Sequence, residues 1–231
     1  MQNSKPEYCF EPRGPASVPV RDGFLFPVHR IYCVGQNYAA HTREMGGNPD
    51  RDPPIFFSKP ADAVTGSQEV PYPPATSSLH HEVELVVALG RGGANIAEAD
   101  APGCVYGYAV GVDLTRRDLQ LVAKERGEPW DMSKGFDLSA PISEIVPVSE
   151  AAMAGDAAIT LSVNGHQRQS GSAGQMIWSV AEIISTLSTL VKLEAGDLIF
   201  TGTPEGVGPL ISGDEVVASI SGLPELRFRL S

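Results

Sequence analysis

Apolar positions along this chain fall into short runs rich in β-branched residues, broken by Gly, Pro, Asn and Asp. Such runs predict strands rather than helices. From His29 onward, IYCVG (31–35), IFFSKP (55–60), CVYGYAVGV (104–112) and LIF (198–200) each read as a strand, with two more around EVVASI and ELRFRL. LSVNGHQRQ reads as a hairpin, because Asn164-Gly165 suits a type I′ turn between alternating strands. Helical periodicity is rarer. QMIWSVAEIISTLSTLV (175–191) is the one long amphipathic helix, with Ile177, Val180, Ile184, Leu187 and Val191 on one face. A short helix is predicted from an Asn37 cap to Met45, closed by Gly46-Gly47, with residues 47–54 as a loop. Another helix runs through RRDLQLVAKER to Gly127, capped by Asp113 or Thr115. Many short strands with few helices predict an α+β fold with a strand-rich core and argue against a doubly wound one. Residues 1–28 are Pro-rich and read as an irregular arm on the surface, and 29–231 as a single domain.

One stretch breaks the pattern. In LHHEVELVVALG (79–90), Glu82 and Glu84 interrupt a strand that Gly90 stops. Residues two apart on a strand share a face, so the two carboxylates repel. Taken alone, the stretch favours a solvated face of an antiparallel strand. The alternative is a cation between the carboxylates. Asp113, at the end of an apolar strand, offers the same choice between a helix cap and a third oxygen ligand. Three carboxylates without Cys or an obligatory His would select Mg²⁺, Mn²⁺ or Ca²⁺ over zinc. His80 and His81 precede the pair, but the His-x-His spacing of a cupin iron site is absent.

The formal net charge of −11 over 231 residues disfavours nucleic acid and anionic membranes as partners. An acidic protein handling an acidic substrate needs a local positive centre, which makes Arg117, Lys134 and the neighbouring Gln120 candidates for holding a substrate carboxylate. The first residues hold no apolar signal core, and no segment reaches the length of a membrane span. Three widely spaced cysteines fit free thiols in a reducing cytoplasm. His41 and Glu44 stand three apart on the short helix, as a surface pair or as a general base with its orienting carboxylate. TGTPEGVG (201–208) offers backbone N–H groups to a ligand, yet it lacks the Gly-Lys-Ser/Thr ending of a nucleotide-binding loop.

Together, YCVGQNYAAHTREMG, HHEVELVVALG, GYAVGVDLTRRDLQ, SKGFD and LIFTGTPEGVG resemble the fumarylacetoacetate hydrolase superfamily over roughly residues 29–222. FPVHRIYCVG and EMGGNPDRDPPIFFSKPADAV are most similar to its bacterial fumarylpyruvate hydrolases. The resemblance implies a mixed β-roll core, a homodimer, and a divalent ion, usually Mg²⁺, on Glu82, Glu84 and Asp113. It implies hydrolysis of a C–C bond in a 2,4-dioxo acid, here 3-fumarylpyruvate to fumarate and pyruvate. His41, oriented by Glu44, would activate water; Lys134 would add positive charge; Arg117, Gln120 and Thr203 would position the substrate. Another acylpyruvate hydrolysis, or oxaloacetate decarboxylation, is the rival reading on the same scaffold. Gln36 stands where relatives usually carry Arg, which removes a charge near the mouth of the site.

Overall fold

The computed structural model describes residues 8–44, 52–153 and 155–231. The chain opens with strands β1 (Ser17–Pro19), β2 (Leu25–Pro27) and β3 (Arg30–Gly35), then helix α1 (Ala39–Glu44). β4 (Ile55–Lys59), β5 (Val64–Thr65) and β6 (Glu69–Val70) follow, then β7 (Leu79–His81), β8 (Val83–Leu89) and β9 (Val105–Val112). β10 (Thr115–Arg116) leads into α2 (Arg117–Arg126) and α3 (Asp131–Lys134), then β11 (Ala140–Pro141) and β12 (Val146–Pro147). The hairpin β13 (Ala158–Val163) and β14 (His166–Ser172) precedes α4 (Val180–Leu190). β15 (Asp197–Phe200), β16 (Gly208–Leu210), β17 (Glu215–Ile220) and β18 (Leu226–Leu230) complete it.

These strands build a mixed six-stranded sheet, β12-β9-β8-β15-β3-β4, and a five-stranded sheet, β14-β13-β17-β18-β6. A three-stranded sheet, β10-β7-β16, completes the larger assemblies. The architecture is the strand-rich α+β fold that the short apolar runs predict. β8 lies inside the large sheet, buried along its whole length. Val83 and Leu85 pack toward the second sheet, Val86 and Ala88 toward β3 and β15, and Val87 and Leu89 beneath α4. A strand covered on both faces has no wet side. That excludes the solvated-face reading of Glu84, which is 2% exposed.

Several local expectations change. The expected continuous glutamate strand breaks at Glu82: β7 belongs to the small sheet and β8 to the large one. The long helix starts only at Val180, where Ser179 and Glu182 form a reciprocal capping box, with Ser179 Oγ accepting from the Glu182 N–H. Asn37 does not cap α1. Its side chain is fully buried and donates to Trp178 O at 3.0 Å and Thr201 O at 2.7 Å, while its Oδ1 accepts from the Trp178 N–H. Neither Asp113 nor Thr115 caps α2, which starts from Arg116 without a side-chain cap. The arm expected to be irregular carries β1 and β2, and buries Val18, Val20, Phe26 and Val28 in the core. The Asn164-Gly165 turn has positive φ at both residues, 51° and 76°, as a type I′ turn requires. Met45, the Gly46-Gly47 stop and most of the 47–54 loop lie outside the described residues.

Candidate active site

The sheet change at Glu82 is what builds the site. As the chain passes from β7 to β8, the Asp113 N–H at the end of β9 donates to Glu82 O at 2.8 Å and holds the two strand ends together. Glu82, Glu84 and Asp113 are thereby gathered, each offering an oxygen, with these oxygens all within 4.8 Å of one another. All three are buried.

Three buried cations surround them. Lys134 Nζ donates to Glu82 Oε2 at 2.7 Å, Asp113 Oδ2 at 2.6 Å and Thr115 Oγ1 at 2.7 Å. Arg117 donates to Glu82 Oε1 and to Gln120 Oε1. Lys59, at the end of β4, lies 2.8 Å from Asp113 Oδ1, and its hydrogens go to Leu114 O, Lys134 O and Ser139 Oγ. Burial works against ionisation of Glu82, but the charges of Lys134, Arg117 and His41 hold its carboxyl well below the usual carboxylate range. Glu84 goes the other way. Burial, added to the charges of Asp113 and Glu82, pushes it well above that range, against the opposing Lys134 charge and the Gly202 N–H bond. Burial lowers the Lys134 pKa, but Asp113 and Glu82 outweigh it and the net shift is upward.

A hard divalent cation fits this donor set. The ligands are all carboxylate oxygens, and Glu84 is the one that the protein's own cations neutralise least. Asp113 Oδ1 accepts no hydrogen bond from the described residues despite its proximity to Lys59.

His41 is buried on α1 and lines the same pocket as Glu82, Glu84 and Lys134. Its Nδ1 is 3.3 Å from Glu44 Oε2. Helix α1 is held inward, because Thr42 Oγ1 donates to Tyr38 O and Gln36 O, and the Gly206 N–H donates to Glu44. Two N–H groups of the 201–208 loop thus serve protein carboxylates, that of Gly202 on Glu84 Oε2 at 2.7 Å and that of Gly206 on Glu44. Both glycines have φ above +90°, and a Cβ on Gly206 would lie 2.2 Å from Arg168 O, so the loop needs glycine at these points.

All nine residues singled out in the sequence lie in or against one pocket, with Glu44 beside His41 and Asp113 beneath Lys134. Thr203 is the exception in orientation. Its hydroxyl hydrogen goes to Val83 O at 2.8 Å and it accepts from Gln169, so it has no hydrogen for a substrate. The Gln120 amide nitrogen, by contrast, donates to none of the described residues. Sequence reasoning missed Lys59 and Gln169. A Lys closing an apolar strand is a usable signal, since an unpaired buried ammonium is costly. Gln169, on an otherwise exposed hairpin strand, gave none.

A family model described as "Fumarylacetoacetate (FAA) hydrolase C-terminal" matches residues 30–231, and the chain belongs to that family. Among curated relatives, fumarylpyruvate hydrolase of Ralstonia sp is 46% identical over 175 residues, covering 75% of this chain and 91% of that protein. Oxaloacetate tautomerase YcgM of Escherichia coli is 41% identical over 201 residues, 85% of this chain and 90% of that one. Among solved structures, fumarylpyruvate hydrolase from Pseudomonas aeruginosa in complex with Mn²⁺ and pyruvate superposes with a TM-score of 0.94. It is 50% identical, covering 97% of this chain and 99% of that one.

Proposed function

We propose that this chain is a metal-dependent acylpyruvate hydrolase that cleaves the C–C bond of a 2,4-dioxo acid, with fumarylpyruvate as its substrate in gentisate-type aromatic degradation in the cytoplasm. The observation that carries this is one pocket lined by two of three converging buried carboxylates, their lysine, and a carboxylate-paired imidazole, with the third carboxylate, Asp113, directly against that lysine. In this reading Glu82, Glu84 and Asp113 hold Mg²⁺ or Mn²⁺, which when bound supplies Lewis-acid stabilisation to the developing enolate. The active form is a homodimer.

Lys134 places positive charge beside the substrate's oxygens, and the Gln120 amide nitrogen donates to one of them, its oxygen held in place by Arg117. His41 removes a proton from the water that attacks the C4 carbonyl, and Glu44 stabilises the imidazolium. The C3–C4 bond then breaks, its electrons passing to the pyruvate enolate. The proton taken up by His41 passes to C3 and yields pyruvate, and the water oxygen leaves in fumarate, whose new carboxyl releases the second water proton. Charge supports the reading too. Three carboxylates balance Lys59, Arg117 and Lys134, so a divalent ion would bring the centre to a net +2, the complement of a dicarboxylate. Pyruvate, a product of this reaction, is the ligand named for the Pseudomonas relative.

A second reading, interconversion of the keto and enol forms of oxaloacetate, is favoured by the tautomerase relatives. Three relatives that act on oxaloacetate are named as tautomerases. A panel of acylpyruvates and oxaloacetate, assayed with Mg²⁺ and Mn²⁺ by loss of ultraviolet absorbance and product analysis, separates the readings. Cleavage of fumarylpyruvate supports the first; turnover of oxaloacetate without acylpyruvate cleavage overturns it.

A further inference from the structure

Helix α2 presents Arg117, Gln120 and Lys124 to the pocket. Spacings of three and four place them in one row along a helix face. The row is a guanidinium, an amide and an ammonium, and the guanidinium already donates to the amide oxygen and to Glu82. Of the other basic groups lining the pocket, Lys134 is engaged by Glu82 and Asp113, and His41 by Glu44. Lys124 is half-buried, and among the described residues it has neither a carboxylate nor a hydrogen-bond partner. Gln36, which shares the lining, is neutral.

The separation suits a particular ligand. Seven residues of helix span about 10 Å from Arg117 to Lys124. An extended seven-carbon dioxo diacid places its terminal carboxyl carbons roughly 7–8 Å apart, from C–C bonds of ~1.5 Å. With one carboxylate at the Lys134 end, the second falls within reach of a flexible lysine at the other. Phe57 and Trp130, whose rings lie 5.8 Å apart, line the same pocket and offer apolar surface to the carbon chain between.

We propose that Lys124 is the specificity-determining receptor for the far carboxylate of the substrate, so that the site selects acylpyruvates whose acyl arm ends in a carboxylate over those with an apolar arm. This rests on the acylpyruvate reading of the pocket. The test compares fumarylpyruvate with acetylpyruvate, which lacks the far carboxylate, in wild type, Lys124→Met and Lys124→Arg. A charge-assisted hydrogen bond of the usual strength predicts that Lys124→Met lowers kcat/KM for fumarylpyruvate about 10- to 100-fold. The fall for acetylpyruvate should be about threefold or less, and Lys124→Arg should recover most of the fumarylpyruvate loss. Equal losses on the two substrates would overturn the proposal while leaving the hydrolase reading intact.

Failure of the hydrolase reading would show differently, as wild-type enzyme cleaving neither substrate. In that event calorimetric titration with fumarate and with pyruvate, whose single carboxylate belongs to the Lys134 end, still decides the role of Lys124. About tenfold weaker fumarate binding in Lys124→Met, with pyruvate little affected, supports the receptor; parallel changes overturn it.

Discussion

Gln169 Nε2 donates to Thr203 Oγ1 at 2.8 Å, and this bond ties strand β14 to the loop that carries the Gly202 and Gly206 amides. The same fully buried amide donates to Pro204 O at 2.9 Å. Its Oε1 accepts from the Val83 N–H at 3.1 Å and lies 2.9 Å from His81 Nδ1. One side chain thus links the strand break at Glu82 to the loop that fixes Glu84. Gln169→Leu leaves Val83 N–H and Pro204 O buried without partners, at about 1–3 kcal/mol each. Urea denaturation should show a loss of about 2–6 kcal/mol, with a fall in kcat as the loop loosens. Stability equal to wild type would mean that the network is dispensable.

Lys59 and Lys134 are both buried against Asp113, so removing either takes away one of its two cationic partners. Lys59→Met and Lys134→Met should each destabilise the metal-free protein by about 1.5–3 kcal/mol, the usual worth of hydrogen bonds to a charged group. They should differ in kinetics. Lys134 lines the pocket, so its loss should raise KM and lower kcat together; Lys59 does not line it and should act mainly on stability. Identical kinetic profiles would remove the distinction between a lysine that meets substrate and one that only supports Asp113.

Much of the fold was legible because strand runs bounded by Gly, Pro and Asn carry their own punctuation. IYCVG, IFFSKP and LIF fall within β3, β4 and β15, give or take a residue at an end. What was not legible depended on contacts distant in sequence. Asn37 reads locally as a cap, yet its partners Trp178 and Thr201 lie more than a hundred residues away. Nothing local shows that β7 and β8 join different sheets, because that depends on which strands flank them. Like charges inside an apolar strand raised the question at Glu82 and Glu84, but taken alone they favoured a wet face, and their role as ligands with Asp113 came through resemblance. Thr203 was given a substrate role through resemblance, and its hydroxyl geometry is visible only once Gln169 and Val83 are in place.

Chelation should abolish activity, and added Mg²⁺ or Mn²⁺ should restore it. Glu82→Ala, Glu84→Ala and Asp113→Ala should each lose both activity and tight metal retention, since two carboxylates hold a hard cation poorly. Glu84→Gln should be the most tolerated of the glutamate substitutions in metal-free protein, because Glu84 is the carboxylate whose charged form burial and neighbouring carboxylates disfavour. Thermal melts in chelator test this: Glu84→Gln should melt at or above wild type, and Glu82→Gln, which unpairs Lys134 and Arg117, clearly below. The opposite order would mean that Glu84 is neutralised by some other group.

His41 and Glu44 separate hydrolysis from chemistry on oxaloacetate. Hydrolysis of an acylpyruvate needs water made nucleophilic at C4, whereas keto–enol interconversion only moves a proton on carbon already acidified by its carbonyl. His41→Ala should therefore cut fumarylpyruvate cleavage by about 10²–10⁴-fold, the usual range for a positioned base. Glu44→Gln should do less damage, since the imidazole remains but loses the charge 3.3 Å from its Nδ1. Its effect should still be real, because Glu44 also accepts from the Gly206 N–H and so couples α1 to the loop that holds Glu84. Turnover of oxaloacetate should suffer less than hydrolysis in both variants, because the carboxylates and Lys134 are untouched. The decisive quantity is the ratio of the two activities in His41→Ala. A ratio equal to that of wild type would show that the imidazole does not act on water, and would move the weight of the site toward enolisation.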